Sequence, residues 1–507
     1  MLGGVSGSRL ISSLLFLLML GAAVTGISSL AFPYTMQDSP STAVVAATIL
    51  EGGAPYKDAW DSRAPGVYFL YALKILIFGK GALGLRIFDL LWQCLTAFVI
   101  FRLARRAGGD ARSGAMAALL YLILYFGQGV GSWAQPDGLL ILPLAASVLL
   151  ILRARESDRT WEWALAAALL GVVALIKLPF GLLGAGFLAM AMSQPFAMPV
   201  ALRRASALAA GFAAPFAMLL VYFWAHGALR DLYYAQFVIA PAYVAKAGQP
   251  GYGLPLEYAL RRRESTPIYL LLFGSLLTLW GKEFVTRLTR GAWLLWAWIA
   301  VALLVFFAHG SHYSYHLHPV VPPLAILAAG KFFEAWDAGA SLWDWRRIAA
   351  LLLLAWLSLS PVQWLRQNLW FARPALGKWE TRSDWHDAAR YLRENTAPGD
   401  RILALGGLAI LYVDSDRAPA CPIVPTRFFT LSTPEYDLRG ICMQAILKQP
   451  PKLIALYTAR PDPTGPTMGE MVLSEFPQLR EYLREHYELD REIFASVIYK
   501  RKAVPAP

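Results

Sequence analysis

The sequence predicts a polytopic α-helical membrane protein of about eleven spans, with interfacial helices in its first outer loop and a small C-terminal α/β domain outside the membrane. Three observations predict it. Apolar residues make up 57% of the 507 and charged residues only 16%, against about 25% charge in soluble domains. A single water-soluble globule of that composition lacks polar surface. Apolar runs near the ~20 residues that cross a bilayer recur along the chain, and cationic clusters fall on alternate connections between them. The same figures exclude disorder, which needs low hydrophobicity and high charge. With three cysteines, a disulfide scaffold is excluded too.

The expected spans are Leu10–Phe32, Leu85–Leu103, Gly114–Trp133, Leu139–Leu152, Trp161–Pro179, Phe180–Met198, Ala205–Ala225, Ile268–Trp280, Ala292–Ala308, Pro319–Phe333 and Ile348–Trp364. The first is too long for a signal-peptide core and no clean cleavage site follows it, so it reads as uncleaved. Arg9, Arg102/Arg105/Arg106/Arg112, Arg153/Arg155/Arg159, Arg203/Arg204, Lys282/Arg287/Arg290 and Lys331/Arg346/Arg347 mark the cytoplasmic side. The N-terminus is then inside and the C-terminus outside. These cytoplasmic turns account for the net charge of +12 without nucleic acid.

Residues 1–365 thus form a transmembrane domain, with a long outer loop at 33–84, and 366–507 an exported domain. In the loop, Ser41–Leu50 and Pro65–Phe78 are apolar but too short to span, which predicts helices lying along the membrane surface. In the tail, a helix at Asp384–Glu394 precedes strands at Arg401–Leu405, Ala409–Val413 and Lys452–Leu456. A helix at Glu470–His486 and a closing strand at Glu492–Tyr499 complete an α/β pattern. Cys421 and Cys442 are either bridged or two unrelated thiols. Cys94, inside a span, is a packing residue.

Ionisable groups at membrane depth mark function. Asp38, Asp58, Asp61 and Arg63 in the first loop, Asp137, Lys177, and the Arg261–Arg262–Arg263 triplet all fall at the outer face. Each has a plainer rival. Asp38 caps a helix beginning near Ser39, Asp58 and Asp61 pair with Lys57 and Arg63, and Asp137 starts a helix. Lys177 snorkels, and the triplet meets lipid headgroups. His309, His312, His316 and His318 lie together without a carboxylate or cysteine partner in sequence, so lining a cavity outweighs zinc.

The first loop orders an acidic residue (Asp38), an apolar helix, Glu51-Gly-Gly-x-Pro-Tyr56, Asp61-x-Arg-x-Pro-Gly-x-Tyr68, Phe78–Gly79 and Leu85–Arg86. That order resembles bacterial members of the dolichyl-phosphate-mannose protein mannosyltransferase-like family. These are polyprenyl-phosphate-sugar glycosyltransferases of the C-type membrane fold, related to aminoarabinose transferases. His312–Pro323 resembles their His-Tyr-rich segment ahead of a Pro-Pro span, and Leu175–Ile176–Lys177 their intramembrane lysine. Where the family has two adjacent acidic residues, Asp38 is followed by Ser39. A divalent metal is therefore unsupported, and no cofactor is assigned. Arg63–Ala64–Pro65 replaces Lys-Pro-Pro and keeps the charge.

The resemblance implies inverting transfer of a sugar from a polyprenyl-phosphate carrier to a glycan, lipid or protein acceptor at the outer face. It nominates Asp38 as base. Residue chemistry concurs, since a departing lipid phosphate needs cations: Arg63, Lys177 and one of Arg261, Arg262 and Arg263. Asp58, Asp61, Asp137, His312, Tyr313 and His316 are the candidate substrate contacts. Two alternatives are an oligosaccharide ligase or polymerase using a diphosphate-linked donor, and a lipid-linked-sugar transporter. Transporters favour internal repeats and midplane charges, and the sequence has neither.

Overall fold

Backbone amides and carbonyls in hydrocarbon must be satisfied within their own segment, which leaves the helix as the form for an isolated apolar run. The computed structural model describes residues 2–31, 38–192, 197–247, 257, 266–276, 293–309, 312–338, 384–460 and 465–503. Helices occupy ten of the eleven expected spans, and the eleventh, Ile348–Trp364, lies outside the described residues. Among the described residues four helices are long and apolar enough to cross a membrane: Arg9–Ala31, Ala82–Arg106, Pro136–Ser157 and Met198–Ala225. Shorter apolar helices include Ala111–Gly127, Thr160–Ile176 and Trp293–Ala308.

Several ends differ from expectation, two of them for a clear local reason. The Gly114–Trp133 span stops at Gly127 because Gly129, at φ 86°, turns the chain into a short 3-10 segment, Val130–Ser132. The Leu139–Leu152 span extends to Ser157, carrying Arg153 and Arg155 on its last turns. Long cationic side chains let a span run on past its apolar core.

The chain divides into two compact units. The first comprises Met1–Phe32, Arg86–Leu219 and Lys246–Arg373. Here the Thr160–Ile176 and Met198–Ala225 helices approach closely through two glycines. A Cβ on Gly211 would sit 2.0 Å from the Ala164 carbonyl oxygen, and one on Gly171 2.6 Å from that of Phe212. Ion pairs tie together one end of this unit. Arg106 pairs with Glu156, Arg112 with Asp337 (2.8 Å), Arg153 with Glu162 (2.9 Å), and Arg203 and Arg204 with Asp158 (2.6 and 2.7 Å). Four of the six connections expected to share the cytoplasmic side are thereby joined at one end.

The second unit comprises Pro33–Leu85, Leu220–Ala245 and Pro374–Pro507, so the first outer loop groups with the tail. Its two loop helices are Asp38–Leu50 and Pro65–Phe78. Pro65 opens the second at a position whose N–H would go unused, and Gly79, at φ 75°, closes it. The tail is α/β. Five strands, β1 (Arg401–Leu405), β2 (Ala418–Pro419), β3 (Leu453–Tyr457), β4 (Tyr487–Ile493) and β5 (Ser496–Arg501), run in the order β2-β1-β3-β5-β4. The β1 pairs are parallel and the β5 pairs antiparallel, with Ile402 opposite Leu453 and Ala455 opposite Ile498.

Three tail expectations are corrected. Ala409–Val413 is not a strand but opens the helix Ile410–Ser415, since a short apolar run suits either form and Asp416 in the left-handed region then ends it. Glu470–His486 is two helices, Met468–Glu475 and Pro477–His486, because Pro477 cannot continue the first helix's hydrogen bonding. The closing strand is the hairpin β4–β5. Its edge strand exposes Glu488, Leu489, Asp490, Arg491 and Glu492 in succession, and Arg491 interrupts the apolar alternation of Tyr487, Leu489 and Ile493.

Candidate functional site

In the second unit, the charged residues of the first loop converge. Asp38 occupies the first turn of its helix, and the Arg63 guanidinium lies 3.0 Å from its carboxylate. The other side of the guanidinium meets Asp61 at 2.5 Å. Asp61 is fully buried, accepts the Ser62 amide at 2.7 Å, and anchors Arg63 from behind. Two donors fix the Arg63 carbonyl: the Tyr56 hydroxyl at 2.6 Å and the Gln236 amide at 3.2 Å. Tyr56 holds a left-handed backbone, φ 69°, that costs roughly 1 kcal/mol or more. Its ring is buried, stacked on Phe223 at 5.8 Å and edge-on to Tyr68 at 5.7 Å.

A second guanidinium comes from the tail. Arg427 reaches to 3.6 Å of the same Asp38 oxygen, its plane over Phe428 (5.0 Å) and Tyr243 (5.7 Å). The backbone brings it there. Trp60 donates to the Pro422 carbonyl at 2.7 Å and accepts the Val424 amide at 3.1 Å, a parallel bridge linking the loop to the tail. The Trp60 ring then packs edge-on against Phe428 at 5.0 Å. Cys421 and Cys442 are bridged, closing the segment that carries Pro422, Val424 and Arg427. Asp38 keeps 31% of its side chain accessible and Arg427 37%, against 14% for Arg63 and none for Asp61. The open face of the cluster is thus one carboxylate flanked by guanidiniums.

Burial alone would raise the Asp38 carboxyl, but the guanidiniums of Arg63 and Arg427 outweigh it and hold it below its ordinary 3.8. Asp58 stands apart. It is exposed and accepts the Ala54 amide at 2.8 Å, which closes its own turn. Lys57 donates to the His226 carbonyl at 2.7 Å.

In the first unit, Asp137, Lys177 and His316 meet. Asp137, buried in the first turn of the helix opened by Pro136, takes Lys177 at 2.5 Å and lies 3.2 Å from His316 Nδ1. Lys177 ends the Thr160–Ile176 helix and turns inward, with 14% of its side chain accessible, so it does not snorkel outward. His316 is itself buried. Among the described residues its Nε2 has no hydrogen-bond partner, nor has either nitrogen of buried His318. His312 packs edge-on to Phe306 and Tyr313 stacks on Tyr315. Arg261, Arg262 and Arg263 lie outside the described residues. Among the described residues no group of three or more His, Cys, Asp or Glu is placed to hold a metal.

Sequence reasoning missed Arg427, Gln236 and Tyr243. No local signal marks them, since Thr426–Arg427–Phe428–Phe429 resembles an ordinary loop and the partner Asp38 lies in the first outer loop.

Comparison with known proteins bears on both units. Residues 62–224 match the family model of dolichyl-phosphate-mannose-protein mannosyltransferase. The undecaprenyl phosphate-alpha-4-amino-4-deoxy-L-arabinose arabinosyl transferase 1 of Sodalis glossinidius is 27% identical over 280 residues, 53% of this chain and 49% of that protein. Its counterpart in Pectobacterium carotovorum is 26% identical over 303 residues, 58% of this chain and 52% of that protein. The chain spans about half the length of the curated relatives it matches. In structure it is similar to ArnT from Cupriavidus metallidurans bound to undecaprenyl phosphate (TM-score 0.61, 14% identity), over 96% of this chain and 97% of that one. The arabinofuranosyltransferase AftD from Mycobacteria aligns with a TM-score of 0.51 and 13% identity, over 96% of this chain and 40% of that one. The resemblance read from the first loop is borne out: residues 62–224 match the mannosyltransferase family model, and the chain shares the fold of ArnT.

Proposed function

We propose that this chain is an inverting glycosyltransferase that moves a sugar from a polyprenyl-phosphate carrier to a cell-envelope acceptor at the outer face of a bacterial inner membrane. One observation carries the proposal: a half-open carboxylate, Asp38, set between the guanidiniums of Arg63 and Arg427. A sugar phosphate diester departs as a phosphate that gains one negative charge. Planar guanidiniums stabilise that charge as it develops. The Asp38 carboxylate takes the proton of the attacking acceptor hydroxyl as the new bond to the anomeric carbon forms. The old carbon–oxygen bond breaks, and its electron pair stays on the phosphate. Across the step, negative charge leaves Asp38 and appears on the phosphate, so the cluster's net charge is unchanged. The names of the relatives, arabinosyl transferases that use undecaprenyl phosphate, support the donor class.

In this scheme 1–365 lies in the membrane apart from the loop at 33–84, whose helices rest on its surface, and 366–507 is exported. The bridged Cys421–Cys442 pair suits an oxidising compartment. Asp61 serves by holding Arg63, and the Asp137–Lys177–His316 group offers polar contacts to substrate. The test is transfer by the purified chain from a synthetic polyprenyl-phosphate sugar, with the product's anomeric configuration read by NMR. Inverted product from the monophosphate donor is expected. Turnover confined to a diphosphate-linked donor, or a retained configuration, overturns the proposal.

A further inference from the structure

We infer that the exported tail completes the donor site: Arg427 is a second phosphate-binding residue, sharing the lipid-linked phosphate with Arg63. The inference rests on the polyprenyl-phosphate reading above and deepens it. Three observations converge. Arg427 and Arg63 reach the same oxygen of Asp38, at 3.6 and 3.0 Å. They therefore flank one point in space from opposite segments of the chain. Arg63 has a second carboxylate behind it, Asp61, and its charge is divided between two anions. Arg427 is the more open of the two guanidiniums. A phosphate approaching Asp38 from the accessible side meets it.

The aromatic bed under Arg427 fits that task. Phe428 and Tyr243, with ring centres 5.0 and 5.7 Å from its guanidinium carbon, orient the head, and a guanidinium so held suits the planar, two-pronged contact such groups make with anions. The Trp60 bridge and the Cys421–Cys442 closure fix the segment two ways. Such support is more than a solvated loop arginine receives. A lone role as counter-ion to Asp38 would be met already by Arg63. Both arginines serve the charge transfer described above: as Asp38 takes a proton and becomes neutral, the guanidiniums that faced it turn wholly to the phosphate.

Binding of polyprenyl phosphate and of uncharged polyprenol to the full-length chain in detergent separates the possibilities, using wild type, Arg427→Gln and Arg427→Lys. The expected result is about tenfold or greater loss of polyprenyl phosphate affinity in Arg427→Gln, with polyprenol unchanged. Arg427→Lys, which keeps the charge and perturbs packing less, should recover part of that loss. Donor KM rises in step in the transfer assay. Equal weakening toward both lipids, or no change toward either, overturns the inference while leaving the wild-type activity in place. Arg427→Lys decides the case if Arg427→Gln does not fold, since wild-type phosphate selectivity there marks a site that needs no guanidinium geometry. A wild-type chain that neither binds polyprenyl phosphate nor transfers from it overturns the underlying proposal instead.

Discussion

Asp38 and Asp61 are two aspartates within one loop, yet their surroundings give them different work. Asp61 is fully buried, and Arg63 reaches it at 2.5 Å. Removing one partner of a buried pair leaves the other uncompensated and costs about 3 kcal/mol. Asp61→Asn is therefore expected to lower the thermal midpoint and raise donor KM together, whereas Asp58→Asn, on an exposed turn, changes neither; unfolding scans with a donor titration check this. Asp38, by contrast, is a carboxylate whose folded-state pKa is depressed by Arg63 and Arg427 against the pull of burial. Its ion pairs stabilise the fold above the unfolded value of about 3.8 and are lost as pH falls through the lower folded value. The acid limb that Asp38 contributes to kcat/KM accordingly lies below the ordinary carboxylate range. Arg427→Gln removes one of the two lowering charges and should move that limb upward, measured by kcat/KM between about pH 4 and 7. At this scale the first loop was legible. Asp38, Arg63 and Asp61 lie close together in sequence with an order that resembles a family. Arg427 was not, because its proximity to Asp38 is created by tertiary folding alone.

Helices declared themselves wherever composition left no alternative. Pro65–Phe78 and Asp384–Glu394 have the bounds their sequence suggests, the one set by Pro65 and Gly79, the other by its apolar face. Ambiguity entered where apolar runs were short, as at Ala409–Val413, or where an edge strand was largely charged and exposed, as at β4. The Cys421–Cys442 pairing was open because two cysteines in sequence carry no distance. That bridge closes a separation of 21 residues, a constraint worth roughly 3 kcal/mol against the unfolded chain. Replacing both cysteines by serine is expected to destabilise the Arg427 segment. Transfer should fall severalfold and the tail should unfold at lower temperature than in wild type, read by tail-directed proteolysis on a heating series. The helix connections give a further prediction. Arg106–Glu156, Arg153–Glu162 and Arg203/Arg204–Asp158 join one end of their unit. Single cysteines at Gly108 and Arg159 should thus be labelled by an impermeant reagent from the same side of the membrane. Cysteines placed in the tail, at Glu488 for example, should be labelled from the other.

At the scale of the whole molecule, a membrane helix bundle cannot present many fixed charges to a lipid-borne anion without burying them at a cost. In the second unit the first loop and the tail fold together, and there Arg63 and Arg427 gather at Asp38. In the proposed reaction the donor is held by charge, and one negative charge shifts from Asp38 to the leaving phosphate. Everything depends on Asp38 being the proton acceptor. The most direct measurement is single-turnover sugar transfer by Asp38→Asn from a polyprenyl-phosphate sugar, alongside its affinity for polyprenyl phosphate. The expected result is a rate lower by about 100-fold or more, with lipid phosphate bound at least as tightly as by wild type, since both arginines are released from their carboxylate. Transfer at the wild-type rate by this variant would contradict the account.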